Sequence, residues 1–211
     1  MIGKVQSYTY EDLLKEIPDL ETKKFLDVGS GRYSPFSLAY FSYLHKKATN
    51  QNKKTFVMEE FKKNIVAVDL KYEDKLDCIL PEVSVCADVR DLPFGNETFD
   101  IVTAGWLLDY FNDFELERVI DEVVRVLKPE GYFIGDVPLH PMRSIYESLR
   151  IPKLIIDIPR YWKQMKKYKE VMKRNNLEFL KEGIGFNSTE IDKYLTFFFI
   201  TRKRKVKNNE M

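Results

Sequence analysis

The sequence predicts an α/β fold, a doubly wound and mostly parallel sheet of seven strands that closes with a C-terminal antiparallel hairpin. Five short runs of β-branched and aromatic residues recur along the first two thirds of the chain, as buried parallel strands do. Helical patterns lie between some of these runs, and this alternation is typical of the fold class. The five runs are residues 25–29, 65–70, 83–88, 99–105 and 132–137.

Two helices are the clearest elements between the predicted strands. Ser34 and Pro35 form a good helix start, with the serine as N-cap and the proline in the first helical position. The pattern over 113–128 predicts another helix, which the sequence Lys-Pro-Glu-Gly at 128–131 ends. The apolar side chains of this helix recur at the spacing of one helix face. They are Leu116, Val119, Ile120, Val123, Val124 and Leu127.

The C-terminal third predicts a helical lid or insertion at about 140–176, followed by the closing hairpin. Within that insertion, residues 159–176 have the pattern of a basic amphipathic helix. Residues 177–186 and 194–204 have the pattern of strands, and a turn at 187–190 joins them. The apolar face of the helix is formed by Tyr161, Met165, Tyr168 and Met172.

The composition of the 211 residues predicts one soluble domain, 1–211, with a formal net charge of +1. Two cysteines and two histidines are too few for a disulfide framework or a histidine-rich metal centre, so no metal is expected. No secretion signal is visible, and the longest apolar stretch, 195–200, is too short to span a membrane. We therefore expect a cytoplasmic protein without membrane contact. The polar segment 45–64 is interpreted as a partly disordered loop, and the oligomeric state stays open.

A glycine loop follows the first predicted strand and contains Asp27, Gly29, Ser30 and Gly31. Glycines at a strand-to-helix turn let a ligand approach the backbone and expose its N–H groups. A carboxylate at Asp27 is unfavourable beside a pyrophosphate and suits a ligand that carries positive charge. S-adenosylmethionine has that character, because it carries an amino group and a sulfonium and no phosphate.

Two further aspartates end the second and third predicted strands. Asp69 stands where an acidic residue accepts hydrogen bonds from ribose hydroxyls, and Asp88 stands where a carboxylate could accept from an adenine amino group. Leu70 and Val89 follow these aspartates directly and would give apolar contact to a base. Because open α/β sheets bind ligands beyond the carboxyl ends of their strands, we expect these side chains to converge.

At these residues the sequence resembles class I S-adenosylmethionine-dependent methyltransferases, which have a Rossmann-like fold, and specifically the small type-11-like group. The resemblance covers about residues 23 to 137, and four segments agree in order and spacing. They are FLDVGSG at 25–31, IVAVDL at 65–70, ADVRDLPFGNETFDIV at 87–102 and RVLKPEGYFI at 125–134.

The resemblance implies that the cofactor is S-adenosyl-L-methionine and gives each part of it a partner. The glycine loop, including Asp27, would hold the methionine part, Asp69 the ribose, and Asp88 with Val89 the adenine edge. Gly105 and Trp106 fall where the family lines the methionine and substrate side. The family often has a third glycine in the loop, and this sequence has Tyr33 there.

The methyl acceptor is expected to be a small molecule. The sequence lacks an Asn/Asp-Pro-Pro-Tyr/Phe run after the fourth predicted strand, which argues against amino-methylation of DNA bases. It also lacks a Pro-Cys pair, so it has no cysteine nucleophile for attack on pyrimidine C5. Where the acceptor must lose a proton, His140 and Asp109 are candidate bases, and Tyr110 is a candidate contact to the substrate.

Other functions stay open at this point. RNA or protein could be the acceptor, and the basic helix at 160–174 could touch phosphates, although a solvated lysine face is the favoured reading. A non-catalytic partner or regulatory protein with the same fold is a second hypothesis. A nicotinamide-dependent oxidoreductase is a third, but it would have an apolar residue where Asp27 stands.

Overall fold

A computed structural model of the chain describes residues 6–31, 35–50, 57–70, 83–139, 158–187 and 195–205. The strands in chain order are β1 Gln6–Tyr8, β2 Phe25–Val28, β3 Ile65–Asp69, β4 Ser84–Cys86, β5 Phe99–Gly105, β6 Leu127–Pro138, β7 Leu177–Asn187 and β8 Leu195–Lys203. They form a single eight-stranded sheet in the order β1-β7-β8-β6-β5-β2-β3-β4.

The sheet is parallel except where β8 pairs with its two neighbours. β8 runs antiparallel to β6 and to β7, so every other strand points the same way and ends at the same edge. This arrangement confirms the predicted fold class. The predicted number of strands is one too small, because Gln6 and Tyr8 pair with Gly185 and Asn187 at the edge of β7. A strand of three residues carries too little pattern to be recognised in a sequence.

Five helices of the described residues flank the sheet: α1 Tyr10–Leu14, α2 Pro35–Asn50, α3 Val57–Asn64, α4 Asp113–Val126 and α5 Ile158–Arg174. Helices α1, α2 and α3 contribute to the apolar cluster on one face, which includes Leu14, Tyr40 and Phe61. Helices α4 and α5 contribute to the cluster on the other face, which includes Val123 and Met172. The sheet is therefore covered on both faces, as doubly wound folds are.

The interpretation of 45–64 as a loop is wrong for the residues that the structure describes. Helix α2 continues to Asn50, and α3 occupies the stretch before β3, while residues 51–56 lie outside the described part. The ring of Tyr40 stacks on Phe25 at a centroid distance of 5.0 Å, and Phe61 is fully buried beside it. A few buried aromatic side chains fix these helices, and their polar residues lie on the solvent side.

Helix α4 begins at the predicted residue and ends before the predicted residue 128. Its N-cap, Asn112, forms a capping box with the residue three positions on. At the other end the buried Lys203 donates from Nζ to the carbonyls of Val124, at 2.9 Å, and Leu127, at 2.7 Å. The strand β6 begins directly after the helix, because these carbonyls find their partner on β8 rather than in a further helical turn.

The described part of the predicted lid is α5, and residues 140–157 lie outside the described residues. As predicted, Met165, Tyr168 and Met172 are on its buried face. Ion pairs from Lys167 to Asp113 and from Arg174 to Glu117 join α5 to α4. This part of the predicted lid therefore packs beside α4 on the sheet, because its apolar face is buried there. None of the helices described is long and apolar enough to cross a membrane.

Candidate active site

A pocket of about 730 Å³ opens at the edge of the sheet where β2, β3 and β5 end. Its volume is in the range of cofactor and small-molecule sites. Ten of the residues singled out in the sequence line it, together with Pro35, Val68, Ala87, Arg90, Leu107 and Phe111. The ten are Gly29, Ser30, Gly31, Asp69, Leu70, Asp88, Val89, Gly105, Trp106 and Tyr110.

The glycine loop has the backbone conformation that its glycines allow. Gly29 and Gly31 have φ angles of +64° and +55°, in the left-handed region. A Cβ on Gly29 would stand 2.6 Å from the side chain of Leu107, whereas a Cβ on Gly31 would meet nothing within 4 Å. Gly29 is thus required for close packing, and Gly31 leaves open space beside the backbone.

Asp69 joins the end of β3 to the glycine loop. Its Oδ2 accepts a hydrogen bond from the backbone N–H of Gly31 at 2.8 Å, and the N–H of Ser30 donates to the carbonyl of Val68 at 3.1 Å. A carboxylate has about four acceptor positions. Asp69 can therefore hold the loop and still accept from a ligand in the pocket.

Asp27 does not line the pocket, which corrects its expected place beside the methionine part of the cofactor. It is buried at 1% exposure. Its Oδ2 accepts from the N–H and hydroxyl of Ser37, at 3.1 and 2.7 Å, and its Oδ1 accepts from the hydroxyl of Thr103 at 2.8 Å. Burial raises the pKa of Asp27 to about 6, against the lowering effect of these hydrogen bonds. Asp27 anchors the first turn of α2 to β2 and β5.

Asp88 lines the pocket, but its carboxylate is engaged by Arg90. Oδ1 accepts from the Arg90 backbone N–H at 2.8 Å, and Oδ2 accepts from Nη2 at 2.6 Å. The guanidinium also donates to Glu115 at 2.6 Å. The hydrogen bonds from Arg90 hold the pKa of Asp88 below its usual value, so this carboxylate is ionised at neutral pH. The sequence reasoning missed Arg90, although it follows Asp88 by two residues.

The remaining pocket wall is apolar. Leu70 is 64% exposed at the rim, and Val89 is buried. Trp106 has a φ of +51°, an uncommon conformation for a residue other than glycine. Its backbone N–H donates to the backbone carbonyl of Asp136 at 3.2 Å. Gly105 precedes it at the end of β5. The pocket thus combines carboxylates on one side with apolar surface on the other, a common pattern for ligand sites.

The three residues expected to serve the acceptor have different places. Tyr110 lines the mouth of the pocket and is 79% exposed. Asp109 is not among the lining residues, and its charge contributes to the raised pKa of Tyr168, of which burial is the main cause. The role of Asp109 as a base therefore stays a prediction. His140 and Tyr33 lie outside the described residues.

A buried cluster behind Gly105 was not predicted. The carboxylate of Asp136, in β6, accepts from the hydroxyl of Tyr8 at 2.5 Å and from that of Tyr10 at 3.4 Å. Thr196 shares the Tyr8 hydroxyl at 2.6 Å. A Cβ on Gly105 would stand 3.4 Å from the Tyr10 oxygen, so the cluster borders the pocket wall. The sequence did contain a signal for this cluster, because Asp136 stands inside the fifth predicted apolar run, 132–137.

Within the described ranges no group of three or more His, Cys, Asp or Glu side chains is placed to hold a metal ion. The two strongly buried carboxylates near the pocket, Asp27 and Asp136, are instead held by hydroxyl groups.

Comparisons with known proteins agree with this site. A family model described as "Methyltransferase domain" matches residues 26–135. The chain is 29% identical over 168 residues to "Arginine-hydroxylase NDUFAF5, mitochondrial" of Rattus norvegicus, covering 79% of this chain and 43% of that protein. It is 32% identical over 106 residues to the "Ubiquinone/menaquinone biosynthesis C-methyltransferase UbiE" of Desulfotalea psychrophila, covering 50% of this chain and 37% of that protein.

The fold has a solved counterpart in a SAM-dependent methyltransferase from Methanosarcina mazei. The two structures agree with a TM-score of 0.59 at 16% identity, over 87% of this chain and 93% of that one. At that identity the likeness concerns the fold alone. The chain spans less than half the length of the two curated relatives described above.

Proposed function

This chain belongs to the methyltransferase-domain family, with S-adenosylmethionine as its cofactor, and from that membership we propose that it transfers a methyl group to a small-molecule acceptor. One observation carries the proposal. The glycine loop, Asp69 and the apolar wall at Gly105 and Trp106 converge on one pocket of cofactor size.

The pocket fits the cofactor in size and in the hydrogen-bond acceptors that it offers. Gly31 leaves its backbone open to a ligand, and Asp69 keeps acceptor capacity for ribose hydroxyls beyond its bond to the loop. Leu70 and Val89 provide apolar surface for the adenine. Asp88 lines this end of the pocket, and its hydrogen bonds with Arg90 fix the position of its carboxylate. The bound cofactor supplies an activated methyl group on a sulfonium.

The protein contributes proximity and orientation. A nucleophile held in line with the methyl carbon gains most of its rate from this positioning, so no covalent catalysis by the chain is required. Tyr10 and Asp136 are buried behind the pocket wall at Gly105 and do not line the pocket, and Asp109 does not line it either. We therefore assign no general base among the described residues.

The mouth of the pocket supports an acceptor with an aromatic or apolar body. Tyr110 is exposed there, and Phe111 lines the same side. The name of one relative states that it methylates ubiquinone or menaquinone precursors at carbon, which agrees with such a body. RNA and protein are the competing acceptors, and the label-transfer experiment below separates the three classes.

Cofactor binding is the first test. Calorimetry with S-adenosylmethionine, S-adenosylhomocysteine and NAD should give micromolar binding of the first two and none of the third. Asp69→Asn removes a charged acceptor whose hydrogen bonds contribute about 1.5–3 kcal/mol each, so we expect about tenfold weaker binding or more. Asp121→Asn, an exposed aspartate on α4, is the matched control. Unchanged affinity in Asp69→Asn would refute the assignment of the ribose position.

Label transfer then identifies the acceptor class. The protein is incubated with S-adenosylmethionine carrying an isotopic methyl label and with cell extract separated into small molecules, RNA and protein. Label in the small-molecule fraction supports the proposal, and label only in RNA or protein overturns its acceptor class. Binding of the cofactor without transfer to any fraction favours a non-catalytic partner protein.

A second candidate activity comes from the relatives named arginine hydroxylase, which cover 79% of this chain. Mass spectrometry of the modified acceptor separates the two reactions, because methylation adds a methylene and hydroxylation adds an oxygen atom. Oxygen in the product would replace the methyltransferase proposal.

A further inference from the structure

A second cavity of about 750 Å³ lies between α5 and the β7–β8 hairpin, and it is as large as the cofactor pocket. Trp162 and Met165 on α5 form one wall, and Ile184 and Phe197 on the two strands form the floor. We call this cavity the α5 groove. Among the residues that the structure describes, it shares no lining residue with the cofactor pocket, so we treat the two as separate sites.

The apolar part of the α5 groove includes a tryptophan that is exposed to solvent. Trp162 is 46% exposed, whereas Met165 and Phe197 below it are buried. Gly183 lies in the floor beside Ile184 and adds no side chain there. A half-exposed indole over an apolar floor is a favourable surface for a hydrocarbon chain, because the indole and the bound chain would both lose contact with water.

The rim of the groove is positively charged. Four lysines of α5 line it against two glutamates. The glutamates neutralise two of the lysines, since Lys169 pairs with Glu182 at 2.5 Å and Lys166 with Glu170 at 3.7 Å. The other two lysines, Lys163 and Lys173, form no ion pair in the part of the chain that the structure describes. They stand about 15 Å apart along the helix axis, at the two ends of the groove.

This combination favours an anionic ligand with an apolar body over a nucleic acid. The sugar–phosphate backbone of a nucleic acid needs a continuous basic surface. In the groove, Glu170 and Glu182 interrupt the lysines of the rim. Among the side chains that the structure describes, the groove has one exposed aromatic ring, that of Trp162, whereas proteins that bind single-stranded nucleic acids stack successive bases on several. A lone anionic head group can instead bind at either end, beside Lys163 or Lys173, with its chain on the apolar floor.

We propose that the α5 groove binds a single-chain amphiphile with an anionic head group, such as a fatty acid. The hydrocarbon chain lies between Trp162, Ile184 and Phe197, and the carboxylate pairs with Lys163 or Lys173. The site is separate from the proposed methyl transfer. It assigns a role to the basic helix that the cofactor pocket leaves unused.

The test uses a dansyl-labelled undecanoic acid as the probe, below its aggregation concentration, with the full chain. We expect saturable binding, with displacement by laurate and none by dodecanol or acetate. The double variant Lys163→Gln, Lys173→Gln removes the two lysine charges that have no ion pair among the described residues, and it should bind the probe at least tenfold more weakly. The double variant Lys24→Gln, Lys63→Gln changes two exposed lysines elsewhere and should bind as the wild type does.

S-adenosylhomocysteine binding, measured on the same samples, separates this proposal from the methyltransferase proposal. Variants that bind it normally are folded, and a wild type that binds the probe but not this ligand would refute only the proposed function. Displacement of the probe by S-adenosylhomocysteine would overturn the proposal that the α5 groove binds an anionic amphiphile, because the probe would then occupy the cofactor pocket. Absent binding, equal binding in both double variants, or binding only to phosphatidylglycerol vesicles or an oligoribonucleotide would overturn it as well.

Discussion

The buried carboxylate of Asp27 makes the stability of this protein depend on pH in an unusual direction. Burial raises its pKa from the ordinary 3.8 to about 6 in the folded state. Between these values the folded protein holds a proton that the unfolded chain releases. Its contribution is therefore fully present below pH 4 and is lost as the pH rises through 6. At 1.36 kcal/mol per pKa unit, the loss is about 3 kcal/mol.

Asp27→Asn removes the titration and keeps the shape of the side chain. The amide oxygen can still accept from the N–H and hydroxyl of Ser37, and the hydroxyl of Thr103 can turn toward the carbonyl of Leu26, which is 3.4 Å away. The amide then donates to Thr103. We therefore expect the variant to fold and to lack the pH dependence that the Asp27 carboxylate contributes to the stability of the wild type.

Urea unfolding at a series of pH values measures this difference. The free energy of unfolding of Asp27→Asn, minus that of the wild type, should increase by about 2–3 kcal/mol between pH 4 and pH 7. Asp91→Asn, at an exposed position, should give a difference that does not rise with pH in this way. A difference that is constant, or that falls with pH, for Asp27→Asn would refute the argument. Binding of S-adenosylhomocysteine should change less than in Asp69→Asn, because Asp27 does not line the pocket.

Three further variants test local features of the fold and the site. Gly29→Ala places a Cβ 2.6 Å from the side chain of Leu107, so it should lower the melting temperature of the protein without ligand clearly more than Gly31→Ala, whose Cβ meets no protein atom within 4 Å; equal melting temperatures would contradict this. Asn112→Ala removes the capping box of α4 and should cost about 1 kcal/mol in urea unfolding, with no change in cofactor affinity. Lys203→Met leaves two carbonyls at the end of α4 without their donor and should cost about 1–3 kcal/mol; a loss near zero would show that water replaces the lysine.

The sequence was sufficient for seven of the eight strands and for the position of the pocket at the edge of the sheet. Buried parallel strands carry a strong local signal, and their carboxyl ends meet at one edge whatever lies between them. For that reason Asp69 and Asp88 could be expected beside the glycine loop, and both line the pocket with it. The interpretation of 45–64 as a loop was wrong because the polarity of a segment does not show which aromatic side chains from other parts of the chain pack against it. Such side chains fix α2 and α3.

The direction and partners of individual side chains were not available from the sequence. Asp27 was expected to face the cofactor, and it instead holds Ser37 and Thr103, the second of which lies 76 residues away. The sequence around Asp136 does not indicate that its carboxylate accepts a hydrogen bond from Tyr8, which lies 128 residues earlier. Such partnerships depend on which strands become neighbours, and that is decided only when the sheet assembles.

The sequence by itself thus determined the fold class, the glycine loop and the strand-end aspartates, because each rests on a pattern within one short segment. Only the tertiary structure decided which carboxylates face the pocket, which are buried in hydroxyl networks, and where the basic helix leaves a groove. The physical reason is that burial and hydrogen bonding of a side chain are set by residues distant in the chain.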